Sequence, residues 1–155
     1  MPTVKYTSNR GIVQESGSDS VELLGRLFGH KAKVTGIAGT ATLTASDSAQ
    51  VFAVTTTGGY VITLPLSATA GVSYLFINSV TGGNVDITQA NAADDFVGTV
   101  LDGVGGSDSA TGTDTLCRLA GAGTGLAGDW VRLTSDGTNW LVEGTSAAAN
   151  GILFA

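Results

Sequence analysis

The chain has 155 residues and a net charge of −6, and 13% of its residues are charged, against an average of about 25%. Seven Lys and Arg residues with no basic run and no interleaved aromatics exclude a nucleic-acid binder. A single cysteine excludes a disulfide framework within the chain, and the absence of any apolar run near 20 residues excludes a transmembrane helix.

The charge is unevenly spread. Residues 1–33 hold five basic against three acidic side chains, and the remainder holds two against ten. A basic arm on an acidic body is a layout suited to docking on a negatively charged partner. Residues 1–20 are polar and small, with isolated Val4, Tyr6, Ile12 and Val13. They predict an extended arm, ordered where a partner or neighbouring subunit covers it. The first residues lack the apolar core of a signal peptide. Val21, Leu24, Leu27 and Phe28 then fall on one helical face, after the N-cap candidates Ser18, Asp19 and Ser20 and before Gly29. Gly25 in the middle weakens a helix by about 1 kcal/mol. One or two helical turns, or an irregular apolar anchor, both fit, and the segment reads as a docking element or as a lid over one end of a β-core. The expected division is an arm over 1–35 and a body over 36–155.

From Lys33 onward turn signals recur at short intervals. Strands are expected over 31–37, 41–46, 50–56, 60–66, 72–79, 85–89, 96–101, 115–120, 129–135, 139–144 and 152–154. Gly58-Gly59 reads as a turn joining the third and fourth of these. Tyr60, Ile62, Leu64 and Leu66 alternate with Val61, Thr63 and Pro65, and Pro65, without an N–H, ends that strand or puts it at an edge. Tyr74, Phe76 and Asn78 alternate with Leu75 and Ile77, which predicts burial on both faces. Thr81–Asn84 reads as a hairpin turn into Val85. Eight to eleven short antiparallel strands with Gly-rich turns make an all-β fold, a β-sandwich or jelly-roll-like body with at most one short helix. Residues 102–114 (DGVGGSDSATGTD) and 120–128 (AGAGTGLAG) lack apolar periodicity and read as loops, the first long enough to be functional or mobile.

The strongest local signal is GDWVRLTSDGTNWLVEG, residues 128–144. Asp136-Gly137 suits a type I′ turn, because both residues tolerate positive φ. A two-residue loop there sets Leu133 opposite Trp140, Val131 opposite Val142 and Trp130 opposite Glu143. Val131, Leu133, Trp140 and Val142 then share one apolar face and should be core.

Little carries chemistry. Cys117 lies in an apolar stretch with no histidine partner and reads as a buried structural thiol. His30, the only histidine, lies in the arm. Asp94, Asp95, Asp102, Asp108 and Asp114 invite a calcium reading, but no EF-hand spacing exists and a solvated acidic rim is expected. The Gly-rich 121–128 lacks the Gly-Lys-Ser/Thr of a phosphate loop. Nothing nominates a carboxylate pair for glycoside cleavage. No catalytic residue, metal or cofactor is expected.

ATLTASDSAQVFAVTTTGGYVITLP, GVSYLFIN, the segment GDWVRLTSDGTNWLVEG and the short final strand together resemble small virion proteins of tailed phages. The similarity is to head decoration (cement) proteins and to β-rich tail-fibre modules, and it covers about 41–155. The resemblance implies a sandwich body, homotrimers on the capsid surface, an N-terminal arm laid along the shell, and the major capsid protein as partner, with no membrane and no nucleic acid involved. Such a protein is made in the host cytoplasm and ends in the virion. Fibre modules sit at the end of long chains, so a chain opening at Met1 and complete at 155 residues favours decoration. Charge and position nominate Lys5, Arg10, Arg26, His30, Lys31 and Lys33 as capsid contacts, with Leu24, Leu27 and Phe28 as apolar anchors. The alternative is a receptor- or glycan-binding fibre module using 102–114; a hydrolase is the third reading.

Overall fold

The computed structural model describes residues 4–7, 11–14, 32–103, 106–119 and 125–155. The chain divides into two compact units, Met1–Lys31 and Ala32–Ala155. In the first, β1 (Val4–Thr7) and β2 (Gly11–Gln14) form an antiparallel pair, with Lys5 opposite Val13 and Tyr6 opposite Ile12. Both strands are extended segments, and their pairing with each other was not expected. The β-branched and aromatic residues at these positions favour strands, and the two strands satisfy each other's backbone groups. The helical segment expected over 21–28 lies outside the described residues.

The second unit is all-β. Its strands are β3 (Val34–Ile37), β4 (Ala41–Thr42), β5 (Gln50–Val54), β6 (Tyr60–Thr63), β7 (Ser73–Asn78), β8 (Val85–Thr88), β9 (Phe96–Asp102), β10 (Ser107–Asp114), β11 (Leu116–Leu119), β12 (Trp130–Ser135), β13 (Trp140–Ser146) and β14 (Ile152–Phe154). One 3-10 turn, Ala45–Asp47, interrupts them. A seven-stranded sheet runs β10-β9-β13-β12-β7-β5-β3, and a five-stranded sheet runs β14-β11-β8-β6-β4. Inward residues of both sheets belong to one core cluster, which makes the unit a β-sandwich. Fully buried Phe76, Leu133 and Trp140 come from the larger sheet, and Ile62, Ile87 and Leu119 from the smaller.

The sheets are mixed, where antiparallel strands were expected. From β3 to β8 the chain changes sheet at every strand. A chain that leaves a sheet and returns after one strand in the other sheet runs in its original direction. So β3, β5 and β7 are parallel neighbours in one sheet, and β4, β6 and β8 in the other. Gly58-Gly59 and Thr81–Asn84, expected to close hairpins, instead carry the chain from one sheet to the other. Tyr60 steadies the first coil, its buried phenol donating to the Ile37 carbonyl at 2.9 Å.

The hairpin β12–β13 forms as expected, but two residues out of register. Leu133 pairs with Val142, Val131 with Gly144 and Ser135 with Trp140. The Asp136 carboxylate accepts the N–H groups of Thr138 and Asn139 at 2.8 and 2.7 Å, which widens the loop to residues 136–139. A shift of two preserves the faces, so Val131, Leu133, Trp140 and Val142 are buried together. Residues 102–114 are not a loop: β10 pairs with β9 from Ser107↔Leu101 to Thr111↔Val97. Only Ala110 of β10 is a buried apolar residue, so the strand leaves no periodic signature. On β7, Tyr74, Phe76 and Asn78 are buried on the inner face, and Leu75 and Ile77 are half-buried on the outer one.

Candidate functional site

Of the arm residues nominated for capsid contact, only Lys33 is described with its side chain. It is exposed, one residue before β3, and its carbonyl accepts the Val51 N–H at 2.9 Å. Lys5 lies in β1, of whose side chains nothing is described. Arg10, Leu24, Arg26, Leu27, Phe28, His30 and Lys31 lie outside the described residues. Lys33 lines an open concavity of about 360 Å³ between β3 and β4, with Ile37, Leu43, Asp47, Gln50 and Phe52. Hydrogen bonds from the Thr44 hydroxyl (2.8 Å) and N–H (3.0 Å) hold the Asp47 carboxyl below the usual carboxylate range, with a smaller contribution from the Lys33 charge.

Among the described residues, β3 is an edge of the larger sheet. Val51 N–H bonds to the Lys33 carbonyl and Thr55 N–H to that of Ile37, so the alternating backbone groups of Val34 and Gly36 face away from β5.

Several titratable groups are committed to structure. Burial pushes the Cys117 thiol far above its ordinary value. Asp94 accepts the Ser67 N–H at 2.8 Å, and Asp114 accepts the Thr111 N–H at 2.7 Å. Burial, and then the neighbouring Asp102, raise Asp108 above the usual range. Among the described residues, no three His, Cys, Asp or Glu side chains converge as a metal site would require. Asp129, missed as a structural residue in the sequence, is buried and caps two loops with its carboxylate.

The two outer faces of the sandwich differ. On the smaller sheet Arg118 of β11 pairs with Asp86 of β8, with Nη2 to Oδ2 at 3.0 Å. The larger sheet shows apolar side chains in cross-strand rows. Ala53, Ile77, Trp130, Thr145 and Leu101 follow one another across five strands, and Leu141 sits beside Val97. Leu101 is 62% exposed and Leu141 43%. Among the described residues, the charged side chains of this face are Arg132 and Glu143, which pair with each other at 2.9 Å. The alternation in β7, β12 and β13 carried this signal: Leu75, Ile77, Trp130 and Leu141 stand at outward positions among Ser, Thr and the one ion pair.

No protein-family model matches the chain. No curated protein matches it either.

Proposed function

We propose that the protein is a structural virion protein: a capsid decoration protein that sits on the outer surface of a tailed-phage head and bridges neighbouring major capsid subunits. The observation that carries this reading is the resemblance of residues 41–155 to phage head decoration proteins. A stiff all-β body with few charges and a basic first segment is compatible with it. The mechanism is mechanical. Each copy adds buried area across joints that internal pressure opens, and contacts of about 1,000 Å² each, multiplied by multivalency, suffice. Self-association of the bodies presents several arms at once, and Lys5, Arg10, Arg26, His30, Lys31 and Lys33 supply the charge that meets the shell.

The test is to add the purified chain to tailed-phage heads that lack their decoration protein. Saturable binding at low salt that weakens as salt rises is the expected result. Absence of saturable binding at low salt overturns the reading. Reversing Lys5, Arg10, Lys31 and Lys33 to Glu should abolish binding while the circular dichroism of the sheets is kept; unchanged binding removes the arm from the mechanism.

One observation favours a second reading, a glycan-binding fibre module. The outward positions of β9 and β10 present a row of hydroxyls, with Thr99 and Ser109 at 3.3 Å and Thr111 and Thr113 at 3.3 Å. Specific retention on a glycan array selects this reading over the first.

A further inference from the structure

From the outer face of the seven-stranded sheet we infer that the body packs face to face with a second copy of itself, in a two-fold contact centred on the Arg132–Glu143 pair. The inference does not rest on the capsid reading, and it sets an assembly of paired copies against the homotrimer that the resemblance implies. Its exposed anchors are Leu101, Leu141 and Val97, with Leu75, Ile77 and Trp130 half-buried beside them on outward positions of neighbouring strands.

Three observations choose a second copy as the occupant. The first is charge. Residues 32–155 hold three basic against ten acidic side chains, so two copies repel over most of their surface. Among the described residues this face carries one cation and one anion, which pair at 2.9 Å, so it is where like-charged bodies can meet without that cost. An acidic or basic partner would find no net charge among the described residues of this face, and an anionic lipid surface would be repelled by the body around it.

The second is area. Seven strands spaced about 4.8 Å apart and about 20 Å long cover about 650 Å², so two faces together remove about 1,300 Å² from water. Stable specific interfaces begin at about 1,000 Å². The third is shape. A pleated sheet is self-complementary: two such faces stack about 10 Å apart and interdigitate their side chains, as the two sheets within each sandwich already do. Arg132 and Glu143 lie directly opposite each other on β12 and β13, so a two-fold axis near them lets each arginine reach either glutamate. Trp130, beside them, is the kind of large anchor on which such contacts concentrate their energy.

Sedimentation equilibrium of the full-length chain across the micromolar range tests this. The expected mass is an even number of chains: two, or a higher even number where a second contact operates. Leu101→Asp combined with Leu141→Asp buries two unpaired carboxylates per copy and should weaken association by about a hundredfold or more, leaving monomers. Their exposed positions keep the fold, which circular dichroism and thermal melting check. Val61→Asp, on the outer face of the other sheet, should leave association unchanged. A monomer throughout, an odd-numbered assembly, or association indifferent to the double substitution each overturns the inference.

Discussion

The Oδ1 atom of Asp129 accepts the backbone N–H of Ala147 at 2.8 Å, while its Oδ2 takes that of Leu126 at 2.8 Å. One buried carboxylate thereby ties the entry of β12 to the exit of β13. Asp129→Asn keeps the size but sets an NH₂ group against one of the two donors. The expected loss is about 1–3 kcal/mol in urea unfolding. Asp129→Ser at no cost would refute the capping role.

Gly98 occupies β9 at φ +151°, pressed against the Val142 carbonyl in the parallel β9–β13 pair. A Cβ there collides with backbone that cannot move without opening the ladder. Gly98→Ala should destabilise by about 3 kcal/mol or more, or abolish folding. Gly39→Ala, with open space around its Cβ, is the matched control and should melt like the parent. Equal melting temperatures for the two variants would refute the close approach.

Tyr74 stands at the core side of β7, its phenol donating to the Thr44 carbonyl at 2.7 Å. Burial, with the Asp47 charge behind it, pushes that phenol up to about 12 from 10.0. The sign is that of a group kept neutral by folding. The unfolded chain ionises first, so this residue's contribution is intact below pH 10 and is lost as pH rises toward 12. Tyr74→Phe should lose about 1 kcal/mol at neutral pH from the missing hydrogen bond. Between pH 10 and about 12 its stability should fall less steeply than the parent's. Parallel alkaline curves would count against a buried phenol.

Asp108 titrates in the opposite sense from a salt-bridged carboxylate. Burial and the Asp102 charge raise it, so the folded state pays for its ionisation at neutral pH. Its contribution is present below the unfolded carboxylate range and is lost as pH rises through the raised folded value. Asp108→Asn should therefore raise stability at pH 7 slightly, by at most about 0.5 kcal/mol for a half-buried, solvent-screened carboxyl. The gain should vanish in acid; a variant less stable at pH 7 would contradict it.

Strand faces were legible in the sequence, and strand partners were not. Period-two alternation marked Val131, Leu133, Trp140 and Val142 as inward, and all four are buried, with Trp140 lying 5.7 Å from Tyr74 of the neighbouring core. A register error of two at Asp136 left the faces intact because the side-chain period is two. Partner choice is non-local. Gly58-Gly59 suits a hairpin and a change of sheet equally, and nothing within a few residues distinguishes them. β10 was invisible because an edge strand with Ser, Thr and Asp on both faces has no hydrophobic pattern to read. For the nominated site, net charge pointed to the first 33 residues, but of these only Lys33 has a described side chain. The apolar outer sheet was encoded in Leu75, Ile77, Trp130 and Leu141, which simple alternation assigns to no side of a one-sided sheet.

The order of strands in the larger sheet also sets a timetable. β9 and β10 are synthesised before β12 and β13, yet the latter pair sits between β9 and β7. A nascent chain that has reached only Leu119 thus holds two half-sheets with the joining piece still to come. Its β7 and β9 edges stay bare until translation delivers the last hairpin, and in that interval the ribosome-bound protein is most exposed to pairing with the wrong neighbour.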